Sequence, residues 1–244
     1  MAFFAGFDAK NYPGNDTMNW LATNTNLRWC GYYLAPAPNR PPSGWQGQYA
    51  SLKAQWGVLP IYVGQQDPNT GNTNYNPSSI LTADQGTIDG KNAADLASAD
   101  QFPSGTFVYL DWEEGDLNTG GAKDYIRSWI AAVAASGQIM PGIYCSHAIA
   151  SDVAALVDQI NPTPIVKFWC WKVSNPTTPH PYHGDLMNIP LLDPSGCGVV
   201  GADAWQREDN VVLALGDGAP VTTLQVDFSS ASSANPGAPI QPVA

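Results

Sequence analysis

Residues 106–113 read TFVYLDWE. The first five are β-branched, aromatic or aliphatic, which is typical of a strand buried on both faces. The run ends in Asp111, Trp112 and Glu113. Because side chains alternate along a strand, the two acids point to one face and Trp112 to the other, with the Cα atoms of the acids about 7 Å apart. With Trp112 packed under helices, both carboxyl groups would face the axis of a closed sheet.

Similar strand-like runs recur along the chain and alternate with helix-like segments. The eight predicted strands are 3–8, 27–34, 58–63, 106–113, 139–146, 165–173, 202–207 and 222–228. The predicted helices are 16–23, 46–56, 89–99, 120–136 and 148–160. This alternation predicts parallel βαβ units. Eight strands in 244 residues favour an α/β fold of the (β/α)8 TIM-barrel type over an open sheet.

The last quarter of the chain departs from this regular alternation. Residues 174–201 are rich in proline and glycine, so we expect a long loop in place of a helix. No helix of ordinary length fits between the last two predicted strands. From residue 229 onward the composition is Ser-, Ala- and Pro-rich. We therefore predict a barrel domain over 1–230, irregular in its last quarter, and a C-terminal tail over 231–244.

The amino-acid composition limits the kinds of molecule that this protein is expected to bind. The formal net charge is −11 with only 10 Lys and Arg residues, so nucleic acid and anionic membrane surfaces are disfavoured. The apolar runs are too short to span a bilayer, and no secretory leader precedes the first strand-like run. A neutral partner such as a glycan fits better. The oligomeric state stays open.

The sequence predicts neither a metal site nor a cofactor. The four cysteines form no C-x2-C pair, and His180 and His183 lack an H-E-x-x-H helix. We expect Cys30, Cys145 and Cys170 to be small core residues on strands. A bridge from Cys197 to a barrel cysteine remains open.

Acidic residues end three of the predicted strands. Asp8 ends the first, Asp111 and Glu113 the fourth, and Asp227 lies at the end of the eighth. Active sites of βα barrels gather at the carboxyl ends of strands, and the first and eighth strands are neighbours in a closed barrel. Since clustered acids cannot all ionise, at least one pKa should rise. A protonated acid beside a carboxylate is what glycoside hydrolysis requires. We predict Glu113 as the acid/base because its side chain is the longest, with Asp8, Asp111 and Asp227 as supporting carboxylates.

A rival arrangement uses Glu208, just past the seventh predicted strand, as a nucleophile paired with Glu113. Retaining barrel glycosidases of that kind usually carry Asn before the fourth-strand Glu, whereas this chain has Trp112. The rival therefore ranks lower.

Several short motifs, in their order along the chain, resemble the lysozyme-type muramidases of glycoside hydrolase family 25. They are GFD (6–8), LDWE (110–113), GIYCS (142–146), FWCW (168–171), AWQ (204–206) and VD (226–227). The opening GFD with YPG (12–14), and LPIYVGQQ (59–66), are still closer to the glycoside-hydrolase-like domain related to twin-arginine-exported bacterial envelope proteins. The resemblance covers about residues 3–230.

The resemblance implies a barrel with an irregular end, an acid/base at Glu113 and a cell-wall amino-sugar polymer of the peptidoglycan type as substrate or ligand. It also implies an extracellular or envelope location. Tyr144, Trp205 and Gln206 match family positions, and Trp171 and Gln65 join them as predicted substrate-binding residues. The chain departs from the muramidase pattern at 171–173, at 207 and in the 174–201 segment. These departures keep two alternatives open: a non-catalytic glycan-binding module, or an interaction protein built on the barrel.

Overall fold

The computed structural model describes residues 2–69, 78–113, 116–174 and 178–240. Its strands are β1 (Phe4–Asp8), β2 (Leu27–Tyr33), β3 (Gly57–Val63), β4 (Thr106–Trp112), β5 (Ile139–Ser146), β6 (Lys167–Trp171), β7 (His180–Pro181), β8 (Ala204–Ala214) and β9 (Thr223–Ala231). Its helices are α1 (Asn15–Asn24), α2 (Tyr49–Leu52), α3 (Ala83–Ala99), α4 (Ala122–Ala135) and α5 (Ala150–Val157). Two short 3-10 helices follow, at Leu186–Asn188 and Pro194–Cys197.

Eight of the strands close into a barrel, which confirms the predicted α/β barrel fold. Strands β1 to β6 are parallel neighbours in sequence order, β8 pairs in parallel with β6, and β9 joins β8 to β1. The two-residue strand β7 lies outside this ring, against the far end of β8.

The predicted irregularity of the last quarter has a specific form. Strand β9 runs antiparallel to both β8 and β1. An antiparallel neighbour is reached by a short turn, so no crossover helix is needed between β8 and β9. The sequence predicted that Asp227 ends an eighth strand parallel to the others. This prediction is wrong, because β9 runs in the opposite direction and Asp227 lies in its middle.

The helices cover the outside of the barrel. In α4 the residues Tyr125, Ile126, Trp129, Ile130 and Val133 are buried, at the spacing of one helical face. Just before this helix, Gly121 has a φ of 88°, and a Cβ there would lie 1.7 Å from a backbone oxygen of Leu81. Only glycine fits that turn.

The interior of the barrel is filled with aromatic side chains below the level of the acids. Trp29 and Trp169 meet edge to face with centroids 5.9 Å apart, and Trp169 also contacts Tyr109 and Tyr144. A Cβ at Gly6 would lie 2.1 Å from the Trp29 ring. Above this packing, at the carboxyl ends of the parallel strands, lies a cavity lined by Asp8, Val63 and Asp111 among others.

The opposite end of the barrel is covered by the residues that follow β9. Asn235 Oδ1 accepts from the Val58 amide at 3.1 Å, Gly237 O accepts from the Phe107 amide at 2.9 Å, and Pro236 O accepts from Lys167 Nζ at 2.9 Å. The division into a barrel and a tail at residue 230 remains a prediction. Over 231–240, however, the chain contacts the barrel where the composition suggested a linker.

All four cysteines are buried free thiols. Cys30, Cys145 and Cys170 lie on β2, β5 and β6, as predicted for small core residues. Cys197 ends the second 3-10 helix and is not bridged to a barrel cysteine.

Candidate active site

The four predicted acids lie at one end of the barrel. Asp8 is the last residue of β1, Asp111 is the second-last of β4, and Glu113 follows β4 directly. The antiparallel register of β1 and β9 places Asp227 directly opposite Asp8. The four side chains line a single cavity of about 790 Å³.

Burial, together with repulsion from neighbouring acids, favours the protonated forms of Asp8, Asp111 and Asp227. Asp8 and Asp111 are only 4% and 6% exposed. Burial, with a contribution from Glu113, raises the pKa of Asp8 to about 7, against the opposing effects of Tyr33 and Arg40. The pKa of Asp111 is raised well above its ordinary value, first by burial and then by Glu113 and Asp8. Burial and the neighbouring Asp8 raise the pKa of Asp227 to about 8.

Tyr33 holds the Asp8 carboxyl group in place. Its Oη donates to Asp8 Oδ1 at 2.7 Å, while Asp8 Oδ2 is buried with no hydrogen-bond partner among the described residues. Space for this arrangement comes from Gly31, where a Cβ would lie 2.6 Å from the Cβ of Asp8. Burial and the charge of Asp8 raise the pKa of Tyr33 well above its ordinary value, so the phenol stays protonated and keeps donating.

Gln66 positions the strand end that carries the other two acids. Its Nε2 donates to the backbone oxygen of Asp111 at 2.6 Å, and its Oε1 accepts from the amide of Glu113 at 3.2 Å. The side chain is completely buried. This one amide therefore fixes the backbone on both sides of Trp112.

Asp227 is held by the β8 backbone. Its Oδ1 accepts from the Asn210 amide at 2.6 Å, and Asn210 has a φ of 55° next to irregular pairing between Glu208 and Val211. The bulged part of β8 therefore turns a backbone donor toward the acid.

A model of the Rv2525c-like glycoside hydrolase-like domain matches residues 21–210. The chain belongs to this family. Among curated protein sequences, none matches the chain.

Several solved structures share the fold of this glycoside hydrolase-like domain. An uncharacterized B. stearothermophilus protein is 17% identical with a TM-score of 0.61, and the match covers 94% of this chain and 96% of that one. The Tat-secreted Rv2525c of Mycobacterium tuberculosis, in complex with HEPES, is 14% identical with a TM-score of 0.56, covering 97% and 98%. A Streptococcus pneumoniae virulence factor described as a glycosyl hydrolase 25 is 11% identical with a TM-score of 0.54, covering 94% and 87%.

Two of the substrate-binding residues predicted from the sequence, Tyr144 and Gln206, lie near the acids. Tyr144 is buried, is in register with Asp111, and its pKa is raised well above the ordinary value by burial and then by Glu113. Gln206 lines the cavity and pairs with Ser229 on β9. Trp171 packs against the interior cluster in register with Gln206, but it is not among the described side chains that line the cavity.

The structure does not bring Trp205 or Gln65 to the cavity. Trp205 alternates with Gln206, so it stands on the outer face of β8, where its Nε1 donates to Lys172 O at 3.1 Å. Gln65 is directed toward the helices: its Nε2 donates to Asp89 at 3.3 Å and its Oε1 accepts from the Ile80 amide at 3.1 Å. Their roles as substrate-binding residues would require a different placement.

Glu208 of the rival arrangement is also outside the cavity lining, and it pairs with the buried Arg207. The geometry therefore favours the cluster of Asp8, Asp111, Glu113 and Asp227 over a pair of Glu113 and Glu208.

Proposed function

We propose that this protein hydrolyses glycosidic bonds in an amino-sugar polymer of the peptidoglycan type, with Glu113 as the acid/base. The observation that carries the proposal is the gathering of four carboxyl groups in one cavity, three of them with raised pKa values. Such an environment separates protonated from ionised acids near neutral pH, and this separation is what glycoside hydrolysis needs.

The exposure of the acids supports different roles for them. Glu113 is exposed at the end of β4, whereas Asp8 and Asp111 are buried beneath it. Glu113 can therefore reach the glycosidic oxygen and protonate it as the bond from that oxygen to the anomeric carbon breaks. A neighbouring carboxylate then stabilises the positive charge on the ring, and water adds its oxygen to the anomeric carbon while Glu113, now ionised, takes up the proton that the water loses.

The family and the sequence motifs support the choice of substrate. The family is glycoside hydrolase-like, one structural neighbour is described as a glycosyl hydrolase 25, and the motifs around the acids resemble those of muramidases. The Tat-secreted neighbour supports a location in the envelope or outside the cell. None of the helices in the described part of the chain has the length and apolar character to cross a bilayer.

Release of reducing ends from purified peptidoglycan tests the proposal. We expect Glu113→Gln to lower the rate by at least about 100-fold, because general acid catalysis typically contributes that much. Asp95→Asn is a matched control, since it also replaces a carboxylate by an amide but lies exposed on α3. Glycan binding without product from the unchanged protein would overturn hydrolysis and favour a non-catalytic glycan-binding module.

A second variant separates the two catalytic arrangements. Glu208→Gln should leave the rate within about threefold if the acids of the cavity act alone, after circular dichroism shows that the variant folds. A loss as large as that of Glu113→Gln would favour the rival pair, since removing either member of a catalytic pair abolishes turnover.

A further inference from the structure

Three of the four cysteines come together on the outer face of the barrel wall. Cys145 on β5 and Cys170 on β6 are directly in register. Their neighbours Tyr144 and Trp169 pack in the barrel interior, so alternation along the strands turns both thiols outward. Cys197 ends the second 3-10 helix, and the Cys170 thiol lies within hydrogen-bonding reach of the thiols of both other cysteines. All three side chains are completely buried.

The segment that carries Cys197 lies on the barrel mainly through side-chain packing. The 3-10 helix Pro194–Cys197 has its two end residues buried, and a Cβ at Gly196 would lie 2.7 Å from the Trp205 ring on the outer face of β8. The hydrogen bonds described for this helix are local, such as that from the Gly196 amide to Asp193 O at 2.9 Å. Just beyond the helix, Val200 is 97% exposed. A segment of this kind opens locally more easily than a strand of the barrel, so Cys197 can become accessible while the barrel stays folded.

The surroundings of Cys197 suit the attacking member of a thiol pair. Its Sγ accepts a hydrogen bond from the Val199 amide at 3.4 Å, and the Lys172 ammonium group lies close to Gly198, where a Cβ would be 3.7 Å from Nζ. Burial raises the pKa of the Cys197 thiol, while the Val199 amide and Lys172 oppose that rise. Because Val199 is two residues along the chain, its amide can stay with the sulfur when local opening removes the burial. The thiolate, which is the nucleophilic form, is then favoured.

We propose that Cys170 and Cys197 form a disulfide that fastens residues 186–201 to the barrel. The Cys197 thiolate attacks one sulfur of a small-molecule disulfide, which releases one half of that molecule as a thiolate and leaves the other half bonded to Cys197. The Cys170 thiolate then attacks the Cys197 sulfur and releases the second half. The two protons lost by the cysteines go to the two released thiolates, so the cysteines are oxidised and the small disulfide is reduced to two thiols. The free thiols of the structure are the reduced form of this pair, and the inference does not depend on glycoside hydrolysis.

Cys145 competes for Cys170 but is the less suitable partner. The two lie on hydrogen-bonded parallel strands, whose backbones are about 4.8 Å apart and are fixed by the barrel. A disulfide requires its sulfur atoms to approach to about 2.05 Å with a defined dihedral angle, which a fixed backbone does not readily allow. Cys197, in contrast, lies between Gly196 and Gly198, and Gly198 has a φ of 97°. Glycine on both sides allows the short segment to adjust, so the geometry favours the link from Cys170 to Cys197.

Incubation of the folded protein with oxidised glutathione tests the pair. We expect two of the four thiols to be lost, and peptide mapping by mass spectrometry to find Cys170 linked to Cys197. Because the bond closes a loop of about 27 residues, the midpoint of thermal unfolding should rise by about 5–10 °C above that of the reduced protein.

Two variants serve as test and control. Cys197→Ala should keep its remaining thiols free, and its unfolding midpoint should be the same with and without the oxidant. Cys30→Ala also removes a completely buried thiol, but on β2, so it should still form the disulfide and show the rise.

The unchanged protein alone can overturn the proposal, whether or not the variants fold. Four free thiols after incubation, a link between Cys145 and Cys170, or glutathione retained on a single cysteine would each show that Cys170 and Cys197 are not a disulfide-forming pair. A link between Cys170 and Cys197 without a rise in the unfolding midpoint would show that the bond does not fasten the segment.

Discussion

Asp8 and Asp227 face each other across the antiparallel pair of β1 and β9, at directly opposing positions. Side chains so placed have Cβ atoms about 5 Å apart, close enough for strong repulsion when both are ionised. Burial raises the pKa of Asp8 to about 7, and burial together with the charge of Asp8 raises the pKa of Asp227 to about 8. Near neutral pH the two carboxyl groups together keep at least one proton.

This pair should make the protein less stable as the pH rises. In the unfolded chain both aspartates lose their protons near pH 4, whereas in the folded protein they keep them until about pH 7 to 8. Between these values the folded state binds more protons, so the free energy of unfolding falls with increasing pH and levels off above about pH 8. We expect a decrease of several kcal/mol between pH 5 and pH 8.5, measured by urea unfolding.

Asp227→Asn should flatten that pH dependence. The amide oxygen can still accept from the Asn210 amide, but the repulsion and one titrating group are gone. The variant should therefore lose about half of the decrease and be more stable than the unchanged protein at pH 8.5. Asp95→Asn, on the exposed surface of α3, is the matched control. If the free energy of unfolding depends on pH in the same way in both variants, Asp8 and Asp227 do not keep a proton between them in the folded protein.

Tyr33→Phe should shift the pH dependence of activity. The hydrogen bond from Tyr33 Oη favours the ionised form of Asp8, so its loss raises the pKa of that carboxyl group further. If the Asp8 carboxylate stabilises the transition state, the acidic limb of the kcat/KM profile should move up by about 0.5–1 pH unit. The phenylalanine ring keeps the surface on which Arg40 stacks. The profile is measured on peptidoglycan between pH 4 and 9. If its acidic limb does not shift in Tyr33→Phe, the Asp8 carboxylate does not stabilise the transition state.

Gln65 and Gln66 are adjacent glutamines whose side chains point to opposite sides of the chain, so each serves as a control for the other. Gln66→Leu leaves the Asp111 carbonyl and the Glu113 amide without their partner, so we expect about a tenfold or greater loss of kcat with a smaller change in KM. Gln65→Leu breaks only contacts toward Asp89 and Ile80, so it should lower stability by about 1–3 kcal/mol and leave kcat nearly unchanged. Equal losses of kcat in both variants would mean that Gln66 has no special role at the strand end.

Strand periodicity and strand ends predicted the barrel and the meeting of its acids, because both depend on local alternation. The direction of β9 could not be predicted in this way, since the same residues form a strand whichever way it runs. Trp205 was predicted to bind substrate because its motif resembles the family's, but alternation with Gln206 places it on the outer face. Tyr33, at the end of β2, could have been found by the rule that found Asp8. Arg40 could not, because its position depends on a turn fixed by contacts with β3.

The chain after β9 should be needed for stability and not for chemistry. Ending the chain at Ser233 removes the acceptors for the Val58 and Phe107 amides and for Lys167 Nζ, all at the end of the barrel remote from the acids. Leaving these groups unpaired should lower the free energy of unfolding by about 2–4 kcal/mol, while Asn235→Ala alone should cost about 1 kcal/mol. At a temperature where both proteins are folded, kcat on peptidoglycan should be unchanged. If the truncated protein is as stable in urea as the full chain, the segment contacts the barrel without stabilising it. If its kcat is lower when the same fraction of protein is folded, the two ends of the barrel are coupled.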